Sequence, residues 1–227
     1  MSASGLNAVR IPVGWWIAYD PNPPKPFIGG SLRALDNAFT WAQLSKRLEH
    51  SGTRDGFQEW GDSHISDTVA VIDILAKRYA NNSALIAIEL MNEPLAPGVN
   101  LDTLKRYYKA GYDAVRKYTS TAYVILATRI SADPKELLSF ASGLNRVVID
   151  VHYYNLFSDW AKTLNAQQNI DFIYNQRTSD LQALTTSNGP LTFVEADYGI
   201  YIYVCVCVCV CRGMDWLLVR VFKWSNN

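Results

Sequence analysis

Leu85-Ile86-Ala87-Ile88-Glu89-Leu90-Met91-Asn92-Glu93-Pro94 is a nearly unbroken apolar run that ends in an amide, a carboxylate and a proline. Apolar residues at both odd and even positions describe a strand covered on both faces, which is the habit of parallel sheets under helices. Pro94 cannot continue a ladder and closes the strand. Before it, Val69, Ile72 and Leu75 recur at helical spacing in a helix over 66–79. After it, a second helix is expected over 101–118 and a second apolar strand over 122–127.

The same alternation continues in both directions. A strand over 6–11, ending at Pro12, precedes a proline-rich stretch and a helix over 31–47 with Leu32, Leu35, Ala38, Phe39 and Ala42 on one face. Downstream come a helix or turn over 135–142, a strand over 147–152, a helix over 167–185 and a strand over 191–194. Strand–helix alternation with buried strands implies an α/β fold with a parallel sheet covered by helices. Polar residues gather where several strands are expected to end: Arg10, Asn92-Glu93 and His152 to Tyr154. In parallel α/β architectures that end carries the chemistry.

Two stretches break the rhythm. Between Trp41 and Ser66 two helices should flank a strand, and Gln43 to Gly52 offers no apolar run, so a strand and its loop are expected to be missing. From Tyr198 onward, Tyr201-Ile202-Tyr203 leads into Val and Cys in strict alternation to Cys211. This is what TATATA running into GTGTGT would encode, and residues 198–227 are read as an aberrant tail of translated non-coding sequence. All four cysteines lie in that tail, so no disulfide framework can be read. As a strand they would be about 7 Å apart along one face, without the turn that wraps CxxC ligands around zinc.

Composition excludes several classes. The chain has 227 residues, 21 basic and 21 acidic, so nothing electrostatic favours nucleic acid or an anionic membrane. No apolar run is long enough to span a bilayer. Met1 to Gly5 leads directly into a strand, and no signal peptide is expected there. The Asn81-Asn82-Ser83 sequon would matter only in a secreted protein. Thirteen tyrosines and seven tryptophans serve either as core and interface filler or as flat platforms for sugar rings.

Glu93 is the centre of the chemical reading. A partly desolvated carboxyl at a strand end holds its proton nearer neutrality and can act as a general acid. Cleaving a glycoside needs such an acid and a second carboxylate across the sugar. Asn92 is placed to bind a substrate hydroxyl, although Asn-Glu-Pro also makes a plain strand-end turn. Arg10 is read either as a structural ion pair or as support for a carboxylate such as Glu93. His152 and Tyr154, two apart on one strand, share a face. A structural role and a pocket role both stand for them. A barrel aldolase would need a Schiff-base lysine at a strand end, and none is found.

Asn7 to Gly14, Leu90 to Pro94, Asp150 to Tyr154 and Leu191 to Val194 occur in the order and spacing of glycoside hydrolase family 5, which the chain resembles from about Ser4 to Val194. The likeness is to the plant exo-β-1,3-glucanase branch, with Ser51 to Phe57 and Trp60-Gly61-Asp62 adding to it. It implies a (β/α)8 TIM barrel over 1–197, incomplete, lacking its first, third and last strands. It implies a retaining two-carboxylate hydrolase of β-glucan, acting as a monomer without cofactor or metal. Family members are usually secreted or bound to the cell wall. By the resemblance Glu93 is the acid/base and Asn92 binds the 2-OH. Arg10 supports the carboxylates, and His152 and Tyr154 line the reaction subsite. Trp15, Trp16, Phe57 and Trp60 are sugar-stacking candidates.

The departures bear on activity. The third strand of the family carries a site histidine, expected to be absent here. Where the family has Gly-Glu-Trp, Val194 is followed by Glu195-Ala196-Asp197. Since a one-residue shift turns a strand side chain over, Ala196 is expected in the nucleophile register, and Glu195 is the candidate nucleophile only if the strand end bends. The alternative is a non-catalytic remnant or sugar-binding fragment.

Overall fold

The computed structural model describes residues 10–45, 48–53, 60–154, 159–185 and 191–197. They fall into two compact units divided between Ser131 and Ala132. The 198–227 tail, Phe57 and the residues before Arg10 lie outside the described residues.

The first unit holds four strands in the order β1 (Arg10–Gly14), β2 (Leu48–Thr53), β3 (Leu85–Glu89) and β4 (Tyr123–Ala127), each parallel to its neighbours. Helices α1 (Ser31–Ser45), α2 (Ile65–Tyr79) and α3 (Leu101–Arg116) make the crossovers. The strands are apolar because they are covered: Ala87 and Ile88 of β3 and Val124 to Ala127 of β4 are all at most 5% exposed. Each helix lays one stripe on them. In α2 the buried positions are Val71, Ile72, Leu75, Ala76 and Tyr79, the i, i+4, i+8 pattern of one face with its immediate neighbours. Val13, Ile17, Leu35, Phe39, Leu75 and Tyr79 form one core cluster, in which the Phe39 and Tyr79 rings stack at 3.9 Å.

Helix starts follow local chemistry. Asn100 caps α3, its side chain accepting from the Asp102 and Thr103 amides. Helix α1 is capped from a distance: Asp20 accepts from the Gly30 amide at 2.6 Å and the Leu32 amide at 2.8 Å. Gly30 has φ +105°, which a side chain would resist.

The missing third strand is a correction. Strand β2 occupies the gap between α1 and α2, pairing Arg10 to Gly14 with Glu49 to Thr53 on one side and Glu49, His50 and Ser51 with Ala87, Ile88 and Glu89 on the other. Its register slips between Leu48 and Glu49. It escaped a reading based on apolar runs because an interior strand is held by two backbone ladders, whatever its side chains. Since β2 contains His50, that strand is also not without a histidine.

The second unit holds α4 (Leu138–Ala141), β5 (Val147–Tyr154), α5 (Ala166–Phe172), a π-helical stretch Ile173–Arg177, α6 (Thr178–Thr185) and β6 (Leu191–Asp197). Strands β5 and β6 are parallel over seven rungs, from Val148↔Leu191 to Tyr154↔Asp197. Asn165 and Gln168 form a reciprocal capping box at the start of α5. Among the described residues no helix is long and apolar enough to cross a membrane.

Candidate active site

Glu93 follows β3 by four residues and is half-buried. The segment leading to it is fixed from three sides. The Leu90 amide donates to the Ile125 carbonyl at 3.1 Å, extending the ladder past the strand. The Tyr107 hydroxyl of α3 donates to the Leu90 carbonyl. Gly111, one turn further along α3, lies against the Leu90 side chain, so closely that a Cβ there would be 2.9 Å from Leu90 Cδ1. The absence of a side chain at Gly111 is what lets α3 close down on the strand end.

Beyond Leu90 the backbone turns sharply. Glu93 has φ +48°, a left-handed conformation costing a non-glycine residue about 1–3 kcal/mol and enriched at functional sites. It persists because the chain after it is clamped. The Ile130 amide donates to the Pro94 carbonyl at 2.7 Å, and the Ala96 amide to the Ile130 carbonyl at 3.0 Å. Arg129 Nη1 donates to the Val99 carbonyl at 2.8 Å, tying the far end of the loop to the same strand extension. Asn92, half-buried beside Glu93, is carried by the same turn.

Arg10 is placed differently from expectation. It opens the described part of β1, level with Glu49 of β2, and the strand runs on to Gly14. It therefore sits four residues short of the strand end, because β1 continues through Pro12 rather than stopping there. Trp15 and Trp16 follow that end in a 3-10 turn, Trp15–Tyr19. Trp16 stacks on Phe27 at 4.1 Å, and Trp15 meets Phe27 edge-on at 5.4 Å. Both tryptophans are half-buried, keeping part of their ring surface open. Trp60 is not such a platform. It is 4% exposed, sits edge-on to Tyr107 at 5.1 Å and donates through Nε1 to Thr68 Oγ1 at 3.3 Å. Its motif resemblance is real, but its ring is core.

In the second unit His152 lies on β5 with its side chain 3% exposed, its Nε2 2.9 Å from Asp150 Oδ2. The two are i, i+2 on a strand and share a face. A buried carboxylate on one imidazole nitrogen orients the ring and selects its tautomer. Neighbouring Tyr153 turns the other way, the Arg177 guanidinium 4.2 Å above its ring. Tyr154 ends β5 and is paired with Asp197. The ladder sets Glu195 on the rung of His152 and Ala196 on that of Tyr153.

Three contributors went unnoticed in the sequence. Asp150 was available from its spacing to His152. Glu89, 1% exposed, is the one charged residue in an apolar strand. Tyr107 gave no signal, since a tyrosine on an amphipathic helix reads as ordinary core. Its phenol is pushed up from its usual value, first by burial and then by the negative charge of Glu89, so it stays a donor.

Parallel strands joined by helices, with a clamped carboxylate past a strand's C-terminal end, define a β/α-barrel type of site. Residues 1–195 match the cellulase family, glycosyl hydrolase family 5, and the chain belongs to that family. It is 34% identical over 177 residues to a glucan 1,3-beta-glucosidase of Blumeria graminis, covering 70% of this chain and 41% of that protein. To the glucan 1,3-beta-glucosidase of Schwanniomyces occidentalis it is 33% identical over 176 residues, covering 68% of this chain and 40% of that protein. The chain thus spans about two fifths of the length of these relatives. Both are fungal, and they lend no support to the plant likeness. Among solved structures, the endoglucanase Cel5A of Pseudomonas stutzeri matches with a TM-score of 0.62 at 17% identity, over 85% of this chain and 63% of that one. That likeness is one of fold, and with the family it identifies an incomplete (β/α)8 barrel.

Proposed function

We propose that this chain carries the chemistry of a retaining β-glucan hydrolase cleaving O-glycosidic bonds, with β-1,3-linked glucan as substrate and the family's two-carboxylate mechanism. Glu93 is the acid/base and Asn92 the ligand of the 2-OH. His152 and Tyr154 serve the reaction subsite, and Arg10 and Trp15 serve binding. The observation that carries the reading is the strained, clamped turn at Glu93, which holds a carboxylate past the end of β3 at φ +48°.

Glu195 is the partner carboxylate in this reading, supported by its rung beside His152. Retaining enzymes need the two carboxyl groups about 5–5.5 Å apart. That range spans only about 0.5 Å, whereas one residue along a strand is about 3.3 Å, so the offset of Glu195 from the family's Gly-Glu-Trp pattern exceeds it several-fold. The chain as written is therefore impaired by several powers of ten. Residues 198–227 take no part. It works as a monomer without cofactor, and secretion or cell-wall association follows from the same resemblance.

The test is to express the chain as written and assay laminarin and an aryl β-glucoside beside Glu93→Gln and Glu195→Gln. Slow turnover lost in both variants supports the reading. Turnover no higher than that of Glu93→Gln would leave a non-catalytic remnant instead.

A further inference from the structure

The turn Asn81-Asn82-Ser83 joins α2 to β3, and its three side chains are treated differently by the fold. Asn82 is committed: its amide donates to the Tyr79 carbonyl at 2.8 Å, its Oδ1 accepts from the Ala84 amide at 2.9 Å, and its carbonyl accepts from the Leu85 amide at 3.0 Å. Asn81 and Ser83 are exposed on either side of it. Among the described residues neither of their side chains is hydrogen-bonded. Asn82 thus fixes the turn and leaves the amide at position one and the hydroxyl at position three pointing to solvent, which is the arrangement an Asn-X-Ser acceptor needs. Asn81-Asn82-Ser83 is the one such triplet in the sequence, and Asn82 cannot itself be an acceptor because Ala84 stands two residues on.

We infer that Asn81 is an N-linked glycan acceptor, placed where the sugar leaves the catalytic end of the barrel clear. Asn81 precedes β3 and Glu93 follows it, so they lie at opposite ends of a strand of five residues, about 17 Å long at the usual rise. In the transfer, Asn81 Nδ2 forms a bond to the anomeric carbon of a lipid-diphosphate-linked oligosaccharide. The bond from that carbon to the diphosphate oxygen breaks, its electron pair leaves with the lipid diphosphate, and the amide yields one proton to the transferase. The inference rests on the secretory part of the proposed function and is independent of whether the chain hydrolyses glucan.

The full chain is translated behind a cleavable leader with microsomes, and only protease-protected, leader-cleaved product is scored. One upward mobility step, removed by peptide N-glycosidase and absent in Asn81→Gln and Ser83→Ala, is expected. Asn82→Gln keeps the step, because it preserves the acceptor triplet. A protected chain of unmodified mass overturns the inference, as does a step that survives Asn81→Gln. Absence of turnover on laminarin with the step present would count against the hydrolase reading alone.

Discussion

Replacing Tyr107 with phenylalanine removes a single oxygen from a side chain that is 0% exposed. That oxygen donates to the carbonyl of Leu90, itself 0% exposed, so water cannot take its place. Leaving a buried carbonyl without this donor costs about 1–3 kcal/mol, against about 1 for an ordinary exposed hydrogen bond. A loss of about 2 kcal/mol is expected, a fall in Tm of roughly 4–8 °C for a chain of this size. In urea the midpoint should drop with the slope unchanged, and amide exchange should rise at residues 90–93, because Leu90 is the anchor from which the Glu93 turn departs. A pH effect accompanies it. The folded-state pKa of Tyr107 is raised, so its contribution is complete below the unfolded tyrosine value of about 10 and is lost as pH climbs above it. Tyr107→Phe should flatten part of the alkaline limb of the stability curve. If Tyr107→Phe unfolds at the wild-type midpoint with unchanged exchange at residues 90–93, the support assigned to α3 is wrong.

Trp60→Ala should cost about 3–5 kcal/mol in urea unfolding, as a buried aromatic does. A sugar-stacking tryptophan would instead raise KM and leave stability alone. Gly111→Ala gains about 1 kcal/mol of helix propensity but pushes a Cβ to 2.9 Å from Leu90 Cδ1, and overpacking at about 1–3 kcal/mol outweighs it. A net loss in thermal melting is expected, and a gain would show that Leu90 yields freely. Asp36→Asn should lower stability by under about 1 kcal/mol at neutral pH, the range of exposed ion pairs. The carboxyl of Asp36 is held below its usual value chiefly by the Arg78 hydrogen bond, opposed by partial burial and aided by Tyr79. Its contribution is therefore present above about pH 4 and is lost as pH falls below that, so wild type and variant should converge in acid.

How far the site could be read from sequence depended on where its information lay. Strand β3 was legible because burial on both faces writes an apolar run, and Glu93 was legible because a proline stops that run beside a carboxylate. Strand β2 was not legible, since Leu48-Glu49-His50-Ser51-Gly52-Thr53 is defined by backbone pairing to β1 and β3, and pairing leaves no mark on side-chain polarity. Arg10 was placed at a strand end because Pro12 looked like a stop. In a parallel sheet a proline is tolerated where its missing donor is not called on, and β1 runs through it to Gly14. Trp60 misled for a different cause. A tryptophan's ring serves a core and a sugar equally well, and only its exposure separates the two.

The outer surface of the first unit carries a pattern that ties these pieces to one construction rule. On α1, Asp36 accepts from Arg78 at 2.7 and 2.6 Å and from the Tyr79 hydroxyl at 2.9 Å, both at the end of α2. On α2, Asp73 accepts from Lys117 and from the Tyr118 hydroxyl, each at 2.9 Å, just past α3. Each latch is an aspartate in mid-helix reaching a cation–tyrosine pair at the C-terminal end of the next helix. A helix so latched can neither slide along nor rotate against its neighbour without losing the three bonds to Asp36 or the two bonds to Asp73. Sliding is the motion that would carry Tyr107 off Leu90 and Gly111 off its side chain. The latches are individually weak, as exposed pairs are, yet they act on the register of α3. That register decides whether the hydroxyl under the Glu93 turn meets its carbonyl.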